Sequence, residues 1–594
     1  EVQQAIADSK LHTAPGESQV MIDMIALMNQ ENVTELTTMF NTFLESGRIP
    51  DNMNSALLRL LPKTDQGLSN LDKTRPIALM ETVSKLYERV IIGRITKTLD
   101  DNKVLDMSQY GALPKAGTAP PVRVLAEVME DARLSTSELH ILALDLKKAF
   151  DTCEYWSQAL SWQALGVPEH MIKILVNLDA GSNSPMDPHE GPGATTTVIL
   201  DAGHMSDPFV HGRGMRQGSV GGPIKWVVFM HFWLQWIKRT MSGKGYTMSS
   251  TRPTSQTDQR QPTIPWQQHS SEQEGKTRDQ KQAPCEVIAQ MFVDDSIWFT
   301  GSAAAAQEMA RRCELFCDFH SVIINREKSE YLSMNDQGHT LRWTPTNTHP
   351  LGKEMHRTGA HGATKRNRGP DGRTIKYLGV HFDAGAGWAT QRRKLQEKHG
   401  ELTAALKHAT ITVREATYCI NNKIIPSIAY PLQVAAVPRS VLERWDKTHR
   451  AILRRVGKLP MHMPPAVFHL PTELGGLGLK SMIDVVTELR IKMELAAKND
   501  CWITPEGGEC TSTHAAVVRA AAVHAERYNS IGWHANKELK RGRAECRRTP
   551  THLALQHIAE SDRSGPRPCI LDLANHTPGP FHIYTDGGTI PGEH

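Results

Sequence analysis

Apolar and polar positions alternate along this chain in blocks whose period changes. Ile22, Met24, Ile25 and Met28, then Leu36, Met39, Phe40 and Leu44, recur at helical spacing and predict helices within residues 1–55. Farther on, Ile141-Leu142-Ala143-Leu144 predicts a short buried strand with Asp145 at its exit. The stretch from Met291 to Phe299 is apolar on both sides of Asp294-Asp295 and predicts a β-hairpin with the acidic pair at its turn. The longest apolar run, Trp226 to Leu234, is too short to span a bilayer and predicts a buried helix. Tyr377 to Phe382 predicts another strand or hairpin. In residues 441–456, Leu442, Trp445, His449, Ile452, Leu453 and Val456 form one apolar stripe; Lys447, Arg450 and Arg454, continued by Lys458, recur along another face. That helix is expected to stop at Gly457.

Two polar stretches interrupt this pattern. Residues 241–284 are rich in Gln, Ser, Thr and Lys and bury too little to order themselves, which predicts a disordered excursion. Residues from about 335 to 372 carry Lys365, Arg366 and Arg368, with Arg373 just beyond, and read as a solvated loop or a basic flap over nucleic acid.

The chain has 594 residues, 39% apolar and 22% charged, which is enough for several folded domains. A net charge of only +4 means that any basic groove must be local. Nine scattered cysteines predict reduced thiols in an intracellular compartment. Cys313 and Cys317, one helical turn apart and followed by His320, read as core packing, and Cys501, Cys510 and His514 lack a zinc spacing. No signal peptide is visible. The chain starts without Met, so it is expected to be a fragment of a longer polyprotein.

Two neighbouring anions beside a sheet are costly unless a cation neutralises them, and a divalent metal is the natural partner. Asp-Asp is also an ordinary turn dipeptide, and Asp145 suits either a strand-end ligand or a helix N-cap. If the two strands lie side by side, Asp145 and Asp294 can share metal ions. Mg²⁺ favours carboxylate and phosphate oxygens and keeps several waters, so few protein ligands suffice.

Six motifs in order narrow these alternatives. Leu144-Asp145-Leu146-Lys147-Lys148-Ala149-Phe150-Asp151 resembles the first palm motif of the LINE-type, non-LTR retrotransposon reverse transcriptases, and Phe292-Val293-Asp294-Asp295 resembles their aromatic-x-Asp-Asp motif. Between them, Gly212 to Ser219 resembles the Gln-Gly motif. Arg75-Pro76-Ile77-Ala78-Leu79, after Leu61-Pro62-Lys63, resembles the fingers motif. Asn325-Arg326-Glu327-Lys328-Ser329 and Tyr377-Leu378-Gly379-Val380 resemble the two motifs that follow the Asp pair. The likeness runs from about Ala14 to about Leu479.

This resemblance implies an α+β right-hand polymerase, with an antiparallel-sheet palm, helical fingers and a helical thumb. It implies RNA-directed DNA synthesis by two-metal nucleotidyl transfer of dNTPs onto a primer 3′-end. Mg²⁺, or Mn²⁺ in its place, would be held by Asp145, Asp294, Asp295 and the backbone carbonyl of Leu146. Lys328 would donate a proton to the leaving pyrophosphate. Lys63 and Arg75 would meet the triphosphate, Phe150 would exclude a 2′-hydroxyl, and Gln217 and Gly218 would orient nucleotide and template. Tyr377, Leu378 and Gly379 would grip the primer, and Asp151 would cap or pair locally. The partners implied are an RNA template, a DNA primer and dNTPs, with no membrane; the resemblance leaves open an endonuclease domain upstream in the same polyprotein. The location implied is the nucleus with a cytoplasmic stage.

The expected organisation is a helical extension over 1–55, fingers and palm over 56–382, a thumb over 383–500 and a connection over 501–575. Within the connection, Lys537, Lys540, Arg541, Arg543, Arg547 and Arg548 form a basic cluster. Phe581 to Gly588 resembles the opening strand of an RNase H domain with Asp586 as its first ligand, and the chain is expected to lack that activity because it stops at His594. A group II intron-encoded protein shares the palm but not such a tail. The rival from another class is a decayed or domesticated copy that only binds RNA.

Overall fold

The computed structural model describes residues 1–63, 74–112, 117–181, 184–186, 193–199, 204–249, 284–336, 338–345, 353–357, 374–385, 387–498, 501–503 and 509–522. The chain divides into two units, residues 1–387 and 388–594.

At the centre of the first unit lies the strand Leu139–Leu144, whose Leu139, Ile141 and Leu142 are fully buried. Such a continuous apolar run suits a strand covered on both faces rather than one that alternates. It is the middle strand of a five-stranded sheet, flanked by Asp295–Thr300 on one side and Glu330–Met334 on the other, both antiparallel to it. Ala289–Phe292 forms one edge, and His356–Arg357, parallel to its neighbour, forms the other. The helices Gly222–Met241 and Ala303–Phe319 share a core with this sheet through Trp226, Phe229, Trp233, Met309 and Phe316. Helix Gly222–Met241 is apolar on nearly all sides because nearly all of it is enclosed. Cys313 and Cys317 sit in the same core, and burial pushes both thiols well above their ordinary range.

A second sheet of four strands joins Thr74–Met80, Ala56–Pro62, Thr195–Ile199 and Phe209–Val210, so the fingers helices are accompanied by strands. The N-terminal helices pack on the helix Thr82–Asp101, with Phe40 and Phe43 set edge-on against its Tyr87. Ile22, Ile25, Leu36 and Phe40 are buried as the periodicity predicts. Met24 and Met28 are exposed, because the helix Ile22–Ala26 lasts little more than one turn and Met28 lies beyond it.

Tyr246–Thr247 pairs with Glu286–Val287, and Tyr246 and Met248 are fully buried, which corrects the disordered reading for residues 241–249; residues 250–283 lie outside the described residues. Leu341, Trp343 and Met355 also belong to the palm core, which corrects the loop reading for residues 338–345 and 353–357. Lys365, Arg366, Arg368 and Arg373 lie outside the described residues.

The second unit is helical between residues 389 and 498. Ala389–His408, Arg439–Gly457 and Met482–Lys498 surround a core built on Ile420, Ile428, Trp445, Leu453 and Phe468. Helix Arg439–Gly457 buries Leu442, Trp445, His449, Ile452 and Leu453 as its stripe predicts. Two expectations for this helix need correction. Gly457 is its last helical residue and Lys458 takes the left-handed cap; a Cβ on Gly457 would stand 2.5 Å from Val413 Cγ2, so this glycine serves close packing. Two of the four cations on its other face are engaged within the unit. Arg450 bonds to His469 Nε2 at 3.1 Å, and Arg454 donates to the Met463 carbonyl at 3.0 Å. A hairpin of Cys501–Ile503 with Glu509–Thr511, followed by the helix Thr513–Ala522, occupies the start of the supposed connection. The basic cluster after Lys537 and the stretch around Asp586 lie outside the described residues. None of the described helices is long and apolar enough to cross a membrane.

Candidate active site

Strand register brings the three predicted aspartates to one end of the palm sheet. Ser296 stands opposite Leu144, so the next residues along, Asp295 and Asp145, leave the ladder side by side. Phe292 and Asp295 close the neighbouring hairpin, with Val293 and Asp294 as its two turn residues. The N-cap alternative for Asp145 falls away, because Lys148 precedes the short helix Ala149–Thr152. Asp145 is fixed by its neighbours. Its N–H donates to Ser329 Oγ at 3.1 Å, its carbonyl accepts from Asn325 N–H at 2.7 Å, and its Oδ2 accepts from Asn325 Nδ2 at 2.8 Å.

The electrostatics of the trio are repulsive. Crowding by surrounding protein raises the Asp294 carboxyl above its usual range, and the charge of Asp145 adds to the rise. Asp295 is pushed up to about 6, first by the same crowding and then by Asp294 and Asp145, with Lys376 opposing. Lys328 Nζ stands 4.0 Å from Asp145 Oδ2 with its side chain 73% exposed. No three acidic, histidine or cysteine side chains enclose a ready-made metal cage among the described residues. The donor set fits Mg²⁺ all the same. Mutually repelling carboxylates at an open sheet end supply hard oxygen ligands and leave positions for water and phosphate. Leu146 follows Asp145 directly and pairs with Ile324.

The remaining predicted residues fall into two groups. Phe150 is half-buried and stacked on Trp226, with ring centroids 5.4 Å apart. Gln217 Nε2 donates to Asp151 Oδ1 at 3.3 Å, and the Gln217 carbonyl accepts from Ala78 N–H at 2.7 Å. Gly218 (φ 123) lies so close to the fingers strand that a Cβ would meet the Ala78 carbonyl at 2.4 Å. Asp151 is raised by burial, and the nearby charges of Lys148 and Lys63 oppose the rise, so Lys63 is within electrostatic reach of this floor. Arg75, opposite Leu61, is exposed. The hairpin Thr374–Tyr377 with Val380–Asp383 turns at Leu378 and Gly379, both at positive φ. Tyr377 itself is buried, so within this motif the turn and Lys376 are the parts open to a ligand.

A family model for reverse transcriptase (RNA-dependent DNA polymerase) matches residues 61–382, more than half of the chain. The chain belongs to the reverse transcriptase family. Among curated proteins it is similar to the Pol polyprotein from the type-2 retrotransposable element R2DM of Drosophila melanogaster, at 22% identity over 76% of this chain and 36% of that one. It is also similar to the RNA-directed DNA polymerase from the mobile element jockey of the same species, at 28% identity over 39% of this chain and 24% of that one. The chain thus spans about a third or less of the length of these two relatives. Among solved structures, apo telomerase from Candida tropicalis truncated from its C-terminal domain aligns at a TM-score of 0.33 and 11% identity, covering 61% of each chain.

In this reverse transcriptase, residues that no motif singled out brace the candidate site. Glu88, fully buried, accepts from Ser219 Oγ at 2.6 Å and from Val220 N–H at 2.9 Å, and so fixes the loop after Gly218. Lys225, equally buried, lies 3.2 Å from Glu88 and 2.8 Å from Asp179. Burial alone would lower this ammonium, but Asp179 and Glu88 outweigh it and hold it above its ordinary value. These charges come from three separate helices, and nothing in their local sequence distinguishes them from surface residues. Lys376 and Asn325 were findable, since each lies in or beside a quoted motif.

Proposed function

We propose that this chain synthesises DNA on an RNA template, adding dNTPs to a primer 3′-end. The observation that carries the reading is the convergence of Asp145 with Asp294 and Asp295 at one sheet end, with Lys328 beside Asp145. The metal assignment rests on those carboxylates. Asp145 and Asp294, with Asp295 in support and the Leu146 carbonyl beside them, would hold divalent cations, Mg²⁺ or Mn²⁺. Bound there, the ions would lower the pKa of the attacking hydroxyl and neutralise charge on the phosphates.

The protein's own part is positioning and charge, since phosphoryl transfer asks little covalent chemistry of the enzyme. Lys63 and Arg75 draw the triphosphate, and Arg75 offers a two-pronged fork. The Phe150 ring, braced by Trp226, sits under the sugar and leaves no room for a 2′-hydroxyl. Gln217 turns its amide toward the base pair once its bond to Asp151 is exchanged for the substrate. Lys328 holds a proton beside the leaving pyrophosphate. The Leu378–Gly379 turn and Lys376 steady the primer end.

The test is primer extension by the purified chain on a homopolymer RNA template, with Asp294→Asn in parallel. Incorporation by the parent chain and its loss in the variant support the reading. RNA binding without any incorporation, in either Mg²⁺ or Mn²⁺, would overturn it in favour of a binding protein.

A further inference from the structure

The turn that presents Asp294 and Asp295 is gripped at both ends of one residue. Val293 has φ 58, in the left-handed region that a β-branched side chain enters only under strain. Its N–H donates to Gln109 Oε1 at 3.1 Å, and its carbonyl accepts from Trp226 Nε1 at 3.2 Å. The same Gln109 oxygen accepts from Gly111 N–H at 3.0 Å. Gln109 is 2% exposed, so both donors meet it in a dry environment.

The segment that carries Gln109 is itself fastened. Met291 N–H donates to the Ser108 carbonyl and Tyr110 N–H to the Met291 carbonyl, each at 2.8 Å, so residues 108–110 extend the sheet beyond its edge strand. Asp106 anchors the segment to the helix Gly222–Met241, accepting from Lys238 Nζ at 2.7 Å and Gln235 Nε2 at 2.9 Å, while its N–H donates to His231 Nδ1 at 2.9 Å. Trp226 belongs to that same helix. At Gly111 a Cβ would stand 2.5 Å from Val293 N, so only glycine admits this approach.

We propose that Gln109 is a positioning residue for nucleotidyl transfer. Its side-chain carbonyl, together with the Trp226 indole, holds Val293 left-handed and thereby sets where the Asp294 and Asp295 carboxylates stand. The inference rests on the polymerase reading above. Without the Gln109 oxygen, two N–H groups lose their acceptor and Val293 can relax toward ordinary φ, which swings Asp294 out of line. Asp145 has its own contacts on another strand and stays in place. A displacement of about 1 Å at a reacting centre costs about 10²-fold in rate.

The test uses Gln109→Met, which keeps length and removes the acceptor, and Trp226→Phe, which keeps a ring and removes the donor. Three quantities are read: single-turnover dNTP incorporation, Mn²⁺ binding by electron paramagnetic resonance without nucleic acid or nucleotide, and amide exchange at Val293 to Asp295. For Gln109→Met the expectation is a rate about 100-fold lower, KM for dNTP within about threefold of the parent, Mn²⁺ affinity about tenfold weaker and faster exchange in the turn. Trp226→Phe shifts the same quantities the same way by less. Parental Mn²⁺ affinity, exchange and rate in a folded Gln109→Met, or a lowered melting temperature as its sole change, overturns the proposal. Should Gln109→Met not fold, Trp226→Phe decides on the same three readouts. A parent chain without polymerase activity sinks the polymerase reading, while Mn²⁺ binding and amide exchange still decide whether Gln109 sets the turn.

Discussion

Asn325 and Asp145 meet twice: the Asn325 side-chain amide donates to Asp145 Oδ2 at 2.8 Å, and its backbone N–H donates to the Asp145 carbonyl at 2.7 Å. The backbone contact sets the strand exit, and the amide sets the rotamer of the carboxylate. Asn325→Leu removes only the second. The expected result is an incorporation rate about tenfold lower with primer–template affinity and melting temperature close to those of the parent. An unchanged rate would show that the carboxylate finds its rotamer unaided.

Asp294→Asn keeps the shape of the turn and removes one charge from the repelling trio. Incorporation should fall by about 10³-fold or more, while binding of an RNA–DNA primer–template, followed by fluorescence anisotropy, stays within about twofold.

Phe150 is half-buried against Trp226, so a smaller side chain opens space without unpicking the core. With Phe150→Val, discrimination between dNTP and rNTP should drop by about 10- to 100-fold, read as the ratio of kcat/KM values. A ratio equal to the parent's would move the sugar gate elsewhere.

The second unit carries a pH-sensitive pair. His399 Nε2 and His449 Nε2 lie 3.1 Å apart, both buried, and burial lowers them to about 4 and about 3. An unfolded imidazole titrates near 6.5, so between pH 6.5 and about 4 the unfolded chain takes up more protons. Stability from this pair is complete above pH 6.5 and drains away as pH falls, by at most about 1.4 kcal/mol per pH unit for each histidine. Replacing both with Gln should flatten the acid limb of melting temperature against pH in this unit. A limb of unchanged slope would assign it to other groups.

Asp446 sits in the buried face of helix Arg439–Gly457 and accepts from Met482 N–H at 2.8 Å and from Ser481 Oγ at 2.9 Å, capping the helix Met482–Lys498. Asp446→Ala strands that buried N–H and should cost about 2–3 kcal/mol in denaturant unfolding. Polymerase assays below the new midpoint should be nearly unaffected.

Where the sequence was legible, one physical constraint dominated its neighbourhood. The apolar run before Asp145 and the symmetric apolar flanks of Asp294-Asp295 leave few ways to bury themselves except as adjacent strands, and the observed register follows. Periodicity likewise located the buried stripe of helix Arg439–Gly457. Composition misled where a few large side chains are diluted by polar neighbours. Tyr246, Met248, Leu341 and Trp343 reach the core from stretches that average as hydrophilic. Local pattern is also blind to partners that lie far along the chain. It set Arg450 and Arg454 on a separate cationic face, although His469 and the Met463 carbonyl take them up. For the same reason Glu88, Lys225 and Gln109 show nothing in sequence that sets them apart, and only the folded chain reveals what each one holds.

The short ladder of Tyr246–Thr247 with Glu286–Val287, continued by Met248 N–H to the Cys285 carbonyl at 3.0 Å, has a practical corollary. The chain leaves this ladder after Ser249 and re-enters it at Pro284, at neighbouring points of the palm. A small folded domain whose own termini lie close together suits insertion between those two points.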